Sequence, residues 1–464
     1  MNRKHILVLL LVMASAVTAA AQVRYETAVQ QLHDSILTAI TGAQLQSDTK
    51  ALVITKYGGR GDGKTDCRPA FDRMMRLAAK RGGARIVVPQ GTWWVEGPIV
   101  FTSGVTLELQ AGATLKFSPD PAKYPPVLTS WEGTMLYNVS PFIYGKDLHD
   151  VAIIGQGTID GNAMTTFATW RPKQLTTRDK TRLQNHQETP LSERRFTSAD
   201  YLRPPLMQFF DCKGVTLEGV FITNSPFWCV HLLRSENIIC RSLRYDAKLV
   251  NNDGIDPEYS RNLLIEDVHF DNGDDNIAIK AGRDNDGWAH ADTPSENIII
   301  RNCHFKGLHA VVLGSEMSAG VRNVFVEDCD YAGYCKRGIY IKTNPDRGGY
   351  VRNLFVRNCR FDTVEDLFYI TTLYAGEGRN STHPSTIDRI DVDGLTANKA
   401  TAAAIVVQGT KAKPVTRVAL RNIDVGEARN AISLDDSDPI ILQNIHIGGH
   451  AGTPSQVTDD PAKK

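Results

Sequence analysis

One unit recurs along this chain, and its period limits what the chain can fold into. The unit reads Asn, then apolar-x-apolar, two polar residues, an apolar residue or Cys, one free position, and an apolar residue. It occurs as Asn262-Leu-Leu-Ile-Glu-Asp-Val-His-Phe270, Asn297-Ile-Ile-Ile-Arg-Asn-Cys-His-Phe305, Asn323-Val-Phe-Val-Glu-Asp-Cys329 and Asn353-Leu-Phe-Val-Arg-Asn-Cys-Arg-Phe361. Weaker copies start near Asp150, Gly214, Asn237, Arg417 and Pro439. The intervals include 23 (214 to 237), 25 (237 to 262), 26 (297 to 323) and 22 (417 to 439), with longer ones such as 35 (262 to 297) implying inserted loops.

Short strands of period two, joined by turns and repeated at such an interval, predict a solenoid. Coils stacked at ~4.8 Å through their backbones place like side chains above one another. Ladders of aliphatic residues, Cys and Asn should follow, and a sheet buried inside the coil wants the β-branched and aliphatic residues these units supply. An α/β barrel would need a helix between strands, and the intervals leave no room for one. The expected fold is all-β, a right-handed parallel β-helix with a short N-terminal helical cap.

A solenoid also explains how 464 residues can avoid the division into about three domains that length alone suggests. Residues 1–21 read as an export signal: Arg3, Lys4 and His5, an apolar run Ile6 to Met13, then Ala19-Ala20-Ala21 before Gln22. Residues 22–100 are expected to hold an N-terminal cap and the first coils, 101–448 the β-helix, and 449–464 a frayed tail. Tyr25 to Thr49 carry a weak helical pattern assigned to the capped end. A second, amphipathic helix should start at Thr65 or Asp66, bury Phe71, Met74, Leu77 and Ala78, and stop at Gly82-Gly83. The Gly-rich run Tyr57 to Asp66 lacks phosphate-loop spacing and reads as a turn.

Lys plus Arg and Asp plus Glu are both 52, which removes the electrostatic case for nucleic acid or an anionic membrane as partner. After the leader no segment approaches the ~20 apolar residues of a membrane span. A periplasmic or secreted monomer is expected. Export permits disulfides among the eight Cys, but Cys303, Cys329 and Cys359 share one repeat position and read as stacked thiols. No CxxC pair or Cys/His cluster has metal-ligand spacing, so neither metal nor cofactor is expected.

Chemistry concentrates between Asn251 and Lys280. Asp253 lies 16 residues after Asn237, Asp274 and Asp275 lie 12 and 13 after Asn262, His309 lies 12 after Asn297, and Lys342 lies 19 after Asn323. Allowing for loops, all five fall on one side of successive coils. Several carboxylates in one groove suit glycoside hydrolysis, where one is protonated to assist the leaving oxygen and another, ionised, activates water or attacks. Crowding supplies the split. Consecutive Asp274 and Asp275 would point to opposite faces of a regular strand, so Gly273 should bend the chain there, and Gly254 beside Asp253. Either motif alone reads as well as a turn on the solenoid rim; their common phase with His309 and Lys342 favours a site.

These residues resemble glycoside hydrolase family 28, the polygalacturonase family of pectin-cleaving β-helix enzymes. The likeness runs from Gly61-Asp-Gly-Lys-Thr-Asp66 through Gly155-Gln-Gly-Thr-Ile-Asp-Gly161 and Ser225-Pro-Phe-Trp228 to about Val351. Asn251-Asn252-Asp253-Gly254 is similar to the family's Asn-Thr-Asp-Gly, and Gly273-Asp274-Asp275 to its Gly-Asp-Asp. The resemblance implies an inverting displacement in which Asp274 is the general acid and Asp253 and Asp275 position and activate water. His309 keeps the His of a Gly-His-Gly motif without its glycines, and would share a proton with, or orient, a catalytic Asp. Lys342 keeps the Lys of Arg-Ile-Lys, expected to hold a substrate carboxylate, but Tyr340 replaces the Arg.

A phenol cannot grip a carboxylate bidentately as a guanidinium does. Arg337 or Arg347 is a candidate to compensate, and Tyr340 to stack on a sugar. Asn251, His231, Arg283 and Lys280 are further candidates for substrate contact, the last three equally readable as packing. Two long departures from the repeat, Asn162 to Leu202 and Arg283 to Pro294, are placed to block one end of a groove, so attack from a chain end is expected over attack within the chain. The competing readings are a pectate-lyase-type elimination and a non-catalytic glycan-binding or adhesin solenoid.

Overall fold

The computed structural model describes residues 22–47, 51–374 and 382–449. The proposed export signal at 1–21 and all but the first residue of the proposed tail lie outside them. The strands form one sheet of 22 members, a second of five and a two-stranded hairpin. The coil-to-coil pairing is parallel, and the chain is a right-handed parallel β-helix.

The repeat explains the coil residue by residue. Its first apolar position stacks as Val151, Val215, Ile238, Leu263, Ile298, Val324, Leu354, Ile390 and Val418 in unbroken register. All nine are buried. The Asn that opens each unit sits at a corner in the left-handed region, with φ of 60° at Asn237, 57° at Asn262, 59° at Asn297 and 56° at Asn323 and Asn353. Asn tolerates that conformation better than other residues with a Cβ. Its amide then bonds to the coil before: Asn297 to Asn262 at 3.0 Å, Asn323 to Asn297 at 2.9 Å, Asn353 to Asn323 at 2.8 Å. The second polar position turns the next corner, also at positive φ (Asp267, Asn302, Asp328, Asn358). All eight Cys are buried free thiols, as the stacked-thiol reading expects.

The N-terminal end is closed by the helix Arg68–Arg81, which buries Phe71, Met74 and Ala78 and ends on Gly82 at φ 72°. Cys67, rather than Thr65 or Asp66, is its N-cap, although Asp66 still accepts the Arg68 N–H at 2.9 Å. The helix at 22–39 does not cap the end, contrary to the sequence reading. It lies along the flank, where Ile36 and Ile40 cover an outward-facing apolar ladder of Leu264, Ile299, Phe325 and Phe355. Its continuation crosses the earlier coils as a strap. The N–H groups of Thr41 and Gly42 bond to Asn237, Ala43 to Thr216, Gln44 to Asp150 and Gln46 to Thr106. An outward sheet face with apolar residues needs a cover, and this segment supplies it.

Three insertions leave the coil on the side that carries the acidic residues. They are the antiparallel hairpin Pro126–Trp131 and Thr134–Val139, the segment 162–202 with its helix Leu175–His186, and the short helix Asp284–Trp288. Arg194 donates to both oxygens of Asp286 at 2.8 and 2.7 Å, and Asp286 accepts the Met135 N–H at 2.8 Å. Asn185 donates to Thr134 and to the Arg283 carbonyl. The three insertions are thus bonded into one wall. Among the described residues no helix is long and apolar enough to cross a membrane.

Candidate active site

The site is built on the outer face of four neighbouring strands, Ile255–Glu258, Asn272–Ile279, Gly307–Gly314 and Asp330–Lys342. Ile277, Val311 and Ile339 stack inward, so the alternating residues face out. The outward column set by this alternation is Ala278, Val312 and Tyr340, whereas Asp275, His309 and Arg337 form a second column three residues earlier, where the bulge next to Asp275 has broken the regular alternation. Lys342 stands opposite Gly314, five residues along the strand from the position that faces His309 (337 to 342). The sequence phase therefore placed it on the correct face but not in the same column, and its long side chain makes up the distance.

Register slips between Asn272 and Asp275: three residues on one strand answer two, Gly307 to His309, on the next. That bulge turns both Asp274 and Asp275 toward the groove. A Cβ on Gly273 would lie 2.4 Å from the Leu249 carbonyl, and one on Gly254 would lie 2.5 Å from the Asn276 carbonyl. Both glycines permit close backbone approach. In the preceding loop Asn252, which stands where the family has Thr, turns its amide to the Ser225 and Phe227 carbonyls at 2.9 and 2.8 Å. Asn251 donates its N–H to Asp274 Oδ2 at 3.0 Å, while Arg203 donates to the Asn251 side chain at 2.7 Å.

The two consecutive carboxyls have opposite surroundings. Asp275 is enclosed, with His309 Nδ1 at 2.6 Å from Oδ1 and Lys342 Nζ at 3.0 Å from Oδ2. Burial alone would raise its pKa, but Lys342 and then His309 outweigh it and hold the carboxyl well below its ordinary range. Asp274 is half-buried and faces the groove. Burial and then the charge of Asp275 push its pKa up. Asp253 is buried, 3.9 Å from Lys280, and is raised well above its ordinary value by burial and then by Asp256. Two adjacent carboxyls are thus shifted in opposite directions by environment rather than by residue type.

Of the candidate residues, Asp253, Asp274, Asp275, His309, Lys342, Lys280 and Asn251 come together. Tyr340 adjoins them, its ring 5.5 Å from that of His309 and 5.4 Å from Lys342 Nζ, but at 7 % exposure little of it is open to a sugar. Arg337 turns away to Glu365 at 2.7 Å and Asp366 at 2.9 Å, its guanidinium 4.6 Å from the centre of the Tyr369 ring. Arg347 is enclosed and paired with Asp284 at 2.8 Å. Arg283 is buried on Glu316 at 2.6 Å, and His231 lies between Glu258 and Gln208, 2.8 Å from each. Arg283, Arg347 and His231 are bound up in these buried contacts. Sequence reasoning missed Asp256, Glu316 and Arg203. Only Asp256 carried a signal, its outward parity one residue after the inward Ile255.

Among the described residues, Asp274, Asp275 and His309 have ligand atoms all within 4.8 Å of one another, the spacing a cation would need. The fit is poor. Both Asp275 oxygens are already engaged, one of them by an ammonium that repels a metal. The set is arranged for proton chemistry.

Residues 80–438 match the sequence pattern of glycosyl hydrolases family 28. The chain belongs to that family. This family 28 hydrolase is 29 % identical over 412 residues to a probable polygalacturonase of Vitis vinifera, covering 85 % of this chain and 78 % of that one. It is 28 % identical over 349 residues to an exo-poly-alpha-D-galacturonosidase of Dickeya chrysanthemi, covering 70 % and 57 %. Among solved structures, a hyperthermoactive exopolygalacturonase from Thermotoga maritima superposes with a TM-score of 0.82 at 34 % identity, covering 89 % of this chain and 96 % of that one. The enzyme is a glycoside hydrolase, and neither elimination nor a purely adhesive solenoid is favoured.

Proposed function

We propose that this hydrolase cleaves galacturonic-acid-containing chains of pectic polysaccharide, with inversion and from a chain end. Asp274, raised and open to the groove, gives its proton to the departing glycosidic oxygen. Asp275, held ionised, takes a proton from the water that attacks the anomeric carbon on the opposite face of the sugar. Asp253 borders that water, and His309 keeps Asp275 oriented. Lys342 supplies the positive charge for a substrate carboxylate. The observation that carries this reading is the unequal surroundings of two adjacent carboxyls, with His309 and Lys342 on only one of them.

The relatives named for galacturonan cleavage support the substrate class, and two of them are exo-acting by name. The bonded wall of three insertions supports attack at a chain end. Residues 1–21, read as an export signal, fit an enzyme that meets a polymer outside the cytoplasm. The test is digestion of homogalacturonan, rhamnogalacturonan and their oligomers, with product sizes resolved and product anomers followed by NMR. Inverted monomer or dimer from homogalacturonan is expected. No reducing sugar from any of them, or an unsaturated ultraviolet-absorbing product, would overturn the reading.

A further inference from the structure

Asp256 has no part in the scheme above, yet it is fully enclosed, at 0 % exposure, beside a reacting group. It points outward from its strand toward Asp253. Neither of its oxygens receives a hydrogen bond, and neither does Asp253 Oδ1. Lys280 is the cation beside both, at 3.7 Å from Asp256 and 3.9 Å from Asp253, beyond hydrogen-bond length, and it also faces Glu316 at 3.4 Å.

The other charged neighbours are committed elsewhere. Lys342 and His309 answer Asp275, and Arg283 answers Glu316. His231, in register with Asp256 on the preceding strand, bonds to Glu258 and Gln208. Asp274 and Asp275, from the next coil, only add negative charge. The carboxyls of Asp253 and Asp256 lie within hydrogen-bonding reach of each other. Two ionised carboxylates cannot hydrogen-bond, because neither has a donor. With one proton between them they can, and the burial of otherwise unpaired oxygens is relieved.

We propose that Asp256 is a positioning residue for hydrolysis: it holds one proton in common with Asp253, so the pair carries a single negative charge and Asp253 presents a fixed oxygen to the attacking water. Lys280 balances that charge. Asp275 alone takes the water's proton, and the shared proton stays in place through the reaction. Burial raises both members of the pair, which supports the sharing. The inference rests on the proposed hydrolysis, which the loss of turnover in Asp274→Asn and Asp275→Asn tests separately.

The shared proton is read directly by infrared spectroscopy of the full-length enzyme near neutral pH. Asp256→Asn and Asp253→Asn should each lose the same protonated-carboxyl band, and the double variant should lose no more. In kinetics, Asp256→Asn keeps a donor to Asp253 and should cost no more than about tenfold in kcat, with KM unchanged. Asp256→Leu has no donor and should cost ~100-fold or more, the scale of a lost acid–base group. The proposal is overturned if Asp256→Asn loses no band, if the two single variants lose different bands, or if Asp256→Leu turns over like the parent. If Asp256→Asn does not fold, the Asp253→Asn spectrum decides, since an unchanged band there overturns it equally.

Discussion

Asp275 illustrates how much a single carboxyl depends on what touches it. His309 and Lys342 each occupy one of its oxygens, and they oppose the upward push of burial on its pKa. Replacing Asp253, Asp274 or Asp275 by Asn should each lower kcat by at least ~100-fold in a reducing-sugar assay, the low end for general acid–base groups. The pH dependence follows from the directions of the shifts. The proposed mechanism needs Asp275 ionised and Asp274 protonated, so the acid limb belongs to the lowered group and the alkaline limb to the raised one. Lys342→Gln removes the charge that does most to hold Asp275 down. Its acid limb should therefore move to higher pH, with KM rising as the substrate carboxylate loses its partner. Profiles of kcat and KM against pH check both effects.

At the scale of the element, the repeat's Asn does two jobs that sequence spacing could only suggest. It occupies a left-handed corner and bonds to the coil before it. Asn297→Ala should lose about 1–3 kcal/mol in denaturant unfolding, combining a strained corner with a lost hydrogen bond. Asn297→Gly should lose less, since glycine accepts the corner freely. Gly273→Ala tests the bulge: a Cβ 2.4 Å from the Leu249 carbonyl forces the loop to move, and turnover should fall more than stability does. The bend at Gly273 was legible because two consecutive acids cannot otherwise share a face. The helix at 22–39 was misplaced because a weak helical pattern says that a helix forms, not which uncovered ladder it lies on.

For the whole molecule, the proposed attack at a chain end assigns the choice of position to the wall of insertions. Arg194 is bonded to Asp286 and, through it, to the hairpin and to the helix Asp284–Trp288. Arg194→Ala should loosen that wall. Early products from homogalacturonan should then shift from terminal units toward longer oligomers while the initial rate changes little, as chromatography of a time course would show. The insertions could be located from sequence as gaps in the repeat. Their mutual bonding could not, because loops outside the coil inherit no register from it.

The carboxylate pair, His309 and the β-helix itself were all determined by the sequence, since stacking at a constant spacing carries lateral position from one coil to the next. Tertiary structure alone decided which charges meet. Long side chains such as Lys342, Lys280, Arg283 and Arg337 reach several ångströms from their backbone positions. Their partners are chosen by burial and by competing charges, which no spacing along the chain encodes. The same reason makes Asp256 unremarked in the sequence and central in the fold: its oxygens find no donor except through Asp253.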